Sequence, residues 1–273
     1  MSFSKNGIPI NSLTDWEKYA GPKSSKQWVD ARSAKEAAKA WLEGKGVCLP
    51  TEVESALANH GAFGVVEAWR GEPEAKLRFD KFAGEPRNSD LVVYAQDSHG
   101  PYLIAVEAKA DEPFGETIEK TYAAALARYQ KNVRSNGITR IEQLIMALFG
   151  IGKIDALPLN SIRYQLLTAC AGALCEAARQ GHSRALMLVQ EFVTDKTSDD
   201  KHRRNSDDLD AFLTCLSQGS VAKIRSGEIC GPLIVPGTPL LPFPVPLYIG
   251  KVSRVLRGNV SSESVSRPLS PRC

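Results

Sequence analysis

No two cysteines in this sequence are separated by two residues, although there are six: Cys48, Cys170, Cys175, Cys215, Cys230 and Cys273. A zinc knuckle or a thioredoxin-type motif is therefore not expected. Cys170 and Cys175 fall in an Ala-rich stretch, where a thiol packs as a small apolar group. Uninterrupted apolar runs are also missing. The most apolar long stretch, residues 231–250, carries six prolines, a density that a membrane-spanning helix does not tolerate. The first residues, Met1-Ser2-Phe3-Ser4-Lys5, lack the apolar core of a secretion signal. With reduced thiols, this predicts a cytoplasmic protein without membrane association. Phosphate-loop (Gly-x-x-x-x-Gly-Lys-Ser/Thr) and nucleophile-elbow (Gly-x-Ser-x-Gly) motifs do not occur. His60, His99, His182 and His202 form no pair at metal-ligand spacing. An excess of one charge is missing too: 34 basic against 31 acidic residues give +3, which neither demands nor excludes a nucleic-acid partner.

What is present is an ordinary globular composition, 43% hydrophobic over 273 residues, long enough to bury a core without disulfide or metal staples. The chain reads as four stretches: an N-terminal helical extension (1–46), an ordered core (47–195), a C-terminal helix with a Pro-rich arm packed on the core (196–257) and a disordered Ser/Arg/Pro tail (258–273). Ser33 with Glu36 predicts a helix start, and so does Thr51 with Glu54 as a capping box after Pro50. Two β-rich runs, 63–69 and 75–82, are split by the turn signal Gly71-Glu72-Pro73, and two more, 90–96 and 102–110, by Asp97-Ser98-His99-Gly100-Pro101. Helical periodicity follows over 116–133, 141–149 and 161–180, with Gly181 as a stop. A strand is predicted at 185–193, a charged loop at 194–210 and a short helix at 209–216. A helical crossover between 102–110 and 185–193 makes those strands parallel. The expected fold is thus α/β, a mixed sheet flanked by helices.

The chemistry rests on one hairpin. Side chains alternate along a strand, so Glu107 and Lys109 share a face. A turn centred between Ser98 and His99 sets Asp90 opposite Glu107; one centred between His99 and Gly100 sets it opposite Lys109. Either register gathers three charged groups at one end of the hairpin. Two carboxylates that close repel unless a cation lies between them or one takes a proton. Hard oxygen ligands at that spacing suit Mg²⁺ or Mn²⁺. The chain has four acidic-x-Lys triplets, but only Glu107-Ala108-Lys109 follows an apolar strand with an Asp at the start of the strand before it. The plain alternative is a cross-strand ion pair on a solvated face, worth about 0.2–1 kcal/mol.

Asp90, sixteen intervening residues, then Glu107-x-Lys109 resembles the PD-(D/E)XK nuclease superfamily, and the element order from 51 to 193 is similar to its restriction-endonuclease-like αβββαβ core. The resemblance covers about half the chain. Ser89 stands where that family usually has Pro. The longer strings 84–90 and 106–114 also resemble bacterial hypothetical proteins, which supply no substrate. The resemblance implies a Mg²⁺- or Mn²⁺-dependent endonuclease acting on DNA. Asp90 and Glu107 would hold the metal with the Ala108 carbonyl, and Lys109 would position or deprotonate water or stabilise developing charge. It further implies an acidic residue on the first core helix, Glu54, and a polar residue on the helix after the third strand, Gln165, with Gln130 as a competitor. Without the resemblance, Glu54 is explained by its cap and Gln165 as a helix-surface amide. The rival reading is a catalytically inactive protein of this fold acting as a nucleic-acid-binding or interaction module.

Basic groups recur at helical spacing in Arg128, Lys131 and Arg134, and at three-residue spacing near the C-terminus in Lys251, Arg254 and Arg257; Lys201, Arg203 and Arg204 lie in the charged loop, and Arg267 and Arg272 in the tail. Together they suit a phosphate footprint, and singly a solvated face. The Pro-rich arm runs extended across the surface or contacts a second subunit in a homodimer; its sequence selects neither.

Overall fold

The computed structural model describes residues 1–22, 24–150, 159–241 and 243–256. The tail from 257 onward, with Arg257, Arg267 and Arg272, lies outside the described residues. Eight strands form one mixed sheet: β1 (Ser2–Lys5), β2 (Ile8–Ile10), β3 (Ala68–Leu77), β4 (Arg87–Asp97), β5 (Gly100–Lys109), β6 (Arg184–Thr194), β7 (Glu228–Leu233) and β8 (Leu247–Leu256), in the order β2-β1-β3-β4-β5-β6-β8-β7. Helices cover both faces. On one side lie α1 (Leu13–Ala20), α2 (Ser33–Glu43) and α3 (Thr51–Ala58); on the other lie α4 (Ile118–Lys131), α5 (Gly137–Phe149), α6 (Tyr164–Arg179) and α7 (Asp199–Leu216).

Strand alternation builds the two cores. Along β5, Tyr102, Ile104, Val106 and Ala108 pack toward α1–α3, and Leu103 and Ala105 pack toward α4–α7. Glu107 and Lys109 continue the second set. The centre of the sheet is covered by α6, with small residues on its buried side. Gly172 lies so close that a Cβ there would meet the Leu77 Cβ at 3.1 Å. β5 and β6 are parallel, joined by the expected helical crossover, and β6 and β8 are parallel as well.

Several expectations are corrected. The N-terminal stretch is not wholly helical: β1 and β2 form a hairpin around Asn6-Gly7, both at positive φ, as a two-residue turn of this composition favours. Gly71-Glu72-Pro73 is no turn, since β3 runs straight through it. β1 pairs with β3 only at Arg70 and Gly71, so Pro73 lies beyond that contact, where no strand needs its missing N–H. A Cβ at Gly71 would come within 2.4 Å of the Phe3 ring, so close packing, not turning, explains that glycine. The charged segment 199–210 is the first part of α7. Its buried side chains His202, Asn205, Leu209, Phe212, Leu213 and Leu216 follow helical spacing, and Asp199 and Asp200 in the first turn suit the helix dipole. The Pro-rich arm does not simply cross the surface: its two ends enter the sheet as β7 and β8. Neither predicted cap holds as drawn. The N-caps are Arg32 and Pro50; Ser33 Oγ instead donates to Glu112 Oε1 at 3.0 Å, and Glu54 Oε1 accepts the Leu49 N–H at 3.1 Å.

Candidate functional site

Asp97 pairs with Gly100 and Leu91 with Val106. The turn is therefore centred between Ser98 and His99, the register that sets Asp90 against Glu107. Past Leu91 the ladder is replaced by a side-chain contact: Asp90 Oδ2 accepts the Ala108 N–H at 2.7 Å. In a strand, the N–H and C=O of one residue point to the same side. The Ala108 carbonyl therefore also projects toward the β4 edge, beside Asp90.

Glu107 lies at the floor of this end, 3% exposed. Its Oε1 takes Lys109 Nζ at 2.9 Å and the Gln165 Nε2–H. Its Oε2 takes the Arg87 Nη2–H. Lys109 Nζ also donates to Gln165 Oε1 at 3.2 Å and lies 5.2 Å from the centre of the Phe114 ring. The first turn of α6, which follows β5 only after α4 and α5, delivers Gln165 to this carboxylate and ammonium. Glu54 does not arrive there. It is exposed on α3, on the opposite face of the sheet, lining a separate cavity with Leu57 and Phe63. Gln130 is exposed on α4.

Three further residues belong to the site and escaped the sequence reading. The β3–β4 register brackets Glu74 against Asp90, since Pro73 pairs with Leu91 and Ala75 with Ser89. Glu74 has φ of +49°, uncommon for a residue with a side chain and a feature that gathers at functional sites. It also breaks the alternation of β3: Trp69 packs toward α1–α3 but Ala75 and Leu77 toward α6. Asn88 Nδ2 donates to Glu74 Oε2. Arg87, with its side chain 7% exposed, spans from Glu107 to Thr168 Oγ1 on α6, at 3.1 Å. Strict alternation puts residues 87 and 90 on opposite faces, so only the local distortion brings both to Glu107.

The electrostatics are unbalanced. Burial, together with the nearby Glu107 and Glu74 charges, pushes the Asp90 carboxyl up to about 8 against the opposing pull of Lys109 and the Ala108 N–H. Burial also raises Glu74. For Glu107, burial alone would raise the carboxyl, but Lys109 and Arg87 outweigh it and hold it below its ordinary value. For Lys109, burial would lower the ammonium, but Glu107 and Asp90 win and raise it. These groups open into a cleft of about 720 Å³ whose walls include Glu74, Asn88, Asp90, Glu107, Lys109 and Gln165 from the sheet side and Lys26, Gln27, Arg32 and Ser33 from the segment leading into α2.

That outer wall is tied down by Asp111 and Glu112. Asp111 bonds Arg32 and Lys201, each at 2.9 Å. Besides holding Ser33, Glu112 accepts the Ala110 N–H at 2.7 Å, and its carbonyl accepts Asn205 Nδ2 at 2.9 Å. The C-terminal basic group is no free patch. Lys251 is buried, with Nζ on Ser206 Oγ and 3.7 Å from Glu191, and Arg254 is paired with Glu52 and Glu43. Arg128, Lys131 and Arg134 are exposed.

Among the described residues no group of three His, Cys, Asp or Glu side chains is close enough to hold a metal. An ion here would rest on Asp90, Glu107 and the Ala108 carbonyl, with water completing its shell, a donor set of the kind Mg²⁺ accepts. The crowding that raises Asp90 is also the condition that a cation relieves, so the residues fit such an ion.

Fold and cleft together define a three-layer mixed α/β protein with an unbalanced carboxylate cluster at one end of its central hairpin. The chain belongs to the family described as a domain of unknown function (DUF6946), which matches residues 9–255. No curated protein and no solved structure matches it. No helix among the described residues is long and apolar enough to cross a membrane.

Proposed function

We propose that this chain is a Mg²⁺- or Mn²⁺-dependent nuclease that hydrolyses phosphodiester bonds of DNA, with a restriction-endonuclease-like core running from α3 through β3, β4, β5 and α6 to β6. The observation that carries this reading is the meeting of Asp90 with Glu107 and Lys109 at the inner end of a polar cleft, with Gln165 arriving from α6. Asp90, Glu107 and the Ala108 carbonyl would hold the ion. When bound, it would supply charge neutralisation on the phosphate and activation of water. In hydrolysis the water oxygen bonds to phosphorus and the bond from phosphorus to the leaving ester oxygen breaks. One proton leaves the water and one is taken up by the leaving oxygen. Lys109 Nζ already donates to Glu107 Oε1 and Gln165 Oε1, so we assign it to donating hydrogen bonds and stabilising growing negative charge. Gln165 fixes both Lys109 and Glu107.

The test is cleavage of DNA by purified protein with Mg²⁺ or Mn²⁺ and none with EDTA. Asp90→Ala and Lys109→Ala each lower the rate by about 10²-fold or more while the protein still unfolds cooperatively. Cleavage surviving in both variants removes the assignment. One observation favours the rival, a non-catalytic module that binds DNA or another protein: Arg87, Lys109 and Gln165 already engage both oxygens of Glu107. That reading requires no saturable Mn²⁺ binding, and DNA or protein binding that survives Asp90→Ala.

A further inference from the structure

Arg87 has no role in the reaction just described, yet it is bound directly to the carboxylate at the floor of the site. It reaches Glu107 Oε2 through Nη2 and Thr168 Oγ1 through Nη1, and lies 3.5 Å from the Gln165 carbonyl. Its side chain is almost wholly buried. Glu107 therefore carries two protein cations, while Asp90 receives only the Ala108 N–H among the described contacts. A divalent ion approaching Glu107 meets a guanidinium already seated there. Two cations on one carboxylate repel strongly in a buried setting.

We infer that Arg87 is an internal counter-cation: it occupies Glu107 in the metal-free protein, withdraws when a divalent ion enters, and thereby sets the metal affinity of the site. This rests on the metal-site reading above. The guanidinium stabilises the carboxylate cluster while the site is empty. Its link to Thr168 and Gln165 connects occupancy of the site to the first turns of α6. Its hold on Glu107 ends once the ion is seated, so removing it tightens metal binding. A support that was merely structural would weaken metal binding.

The experiment is calorimetric titration of the full chain with Mn²⁺, beside DNA cleavage followed across a range of Mn²⁺ concentrations. Arg87→Met binds Mn²⁺ about tenfold or more tightly than the wild type and reaches its own half-maximal cleavage at a correspondingly lower Mn²⁺ concentration. Arg87→Lys, which keeps the charge, binds Mn²⁺ within a few-fold of the wild type. If Arg87→Met does not fold, Arg87→Gln reads the same quantity. A crystal soaked in Mn²⁺ shows the guanidinium moved off Glu107. Weaker Mn²⁺ binding by the neutral variants, or a soaked crystal with Arg87 still on Glu107, overturns the role of Arg87 alone. No saturable Mn²⁺ binding by the wild type overturns the metal-site reading and this inference with it.

Discussion

The hairpin of β4 and β5 carries buried charge at both of its ends, and the two ends are built differently. At the turn, Asp97 and Arg184 form a closed pair, with contacts at 3.1 and 2.7 Å. The Asp97 carboxylate also accepts the Gly64 and His99 N–H groups at 2.9 and 2.8 Å. Arg184 donates to the Gly100 carbonyl at 2.7 Å and stacks near Phe63 and Tyr102. One anion meets one cation, and aromatic rings exclude water. Burial alone would raise Asp97, but Arg184 and the backbone donors outweigh it and hold the carboxyl below its ordinary value. At the open end, Glu74, Asp90 and Glu107 face Arg87 and Lys109, and Asp90 is driven upward. A charge-balanced cluster holds a fold together; an unbalanced one opening into a cleft is a place for a ligand.

The largest expected effect is on the turn end. Asp97→Ala leaves Arg184 buried without its partner and costs about 3–5 kcal/mol, read from urea unfolding. A cost comparable to that of an exposed pair would mean the two ends are not so different. Next comes pH. In metal-free buffer Asp90 is held above its unfolded value, so its contribution to stability falls as pH rises from about 4 to about 8. Asp90→Asn removes that loss, and its advantage over the wild type grows across the same window. Asp97 has the opposite sign. Its contribution is full above an unfolded pKa of about 4 and is lost as pH falls through the lower folded value. Asp97→Asn therefore narrows the gap to the wild type only on the acid side. Unfolding midpoints from pH 3 to 8 check both slopes, and slopes of equal sign would break the comparison. Smaller still, Gln165→Ala slows cleavage about tenfold, equivalent to about 1.4 kcal/mol. The smallest effect is Glu54→Ala, which removes the acceptor of the Leu49 N–H and costs about 1 kcal/mol without altering cleavage.

Much of this was legible in the residues. The apolar runs of β4, β5 and β6 and the small-residue helix α6 announce themselves by period and composition. The short turn after Asp97 allows only a few registers, one of which carries Asp90 to Glu107. Gln165 was found only through the resemblance, because nothing local distinguishes it from a surface amide. α7 was hidden because its first turns are charged, and its buried stripe includes His202 and Asn205, which read as loop residues. Arg87 was hidden by a break in alternation around Glu74, and period-two reasoning cannot anticipate such a break. Asp111 and Glu112 have the composition of a turn before Pro113. Their use as ties to α2 and α7 depends on partners about 80 and 90 residues away along the chain.

By itself the sequence determined the alternating strands, the crossover that makes β5 and β6 parallel, and the set Asp90, Glu107 and Lys109. These follow from local periodicity and from a turn too short to permit many alternatives. Only the tertiary structure decided that Glu74 and Arg87 join that set, that Glu54 does not, and that the N-terminal segment walls the cleft. Charge balance in a buried site is a sum over groups that folding brings together from distant parts of the chain, and no local pattern encodes that sum.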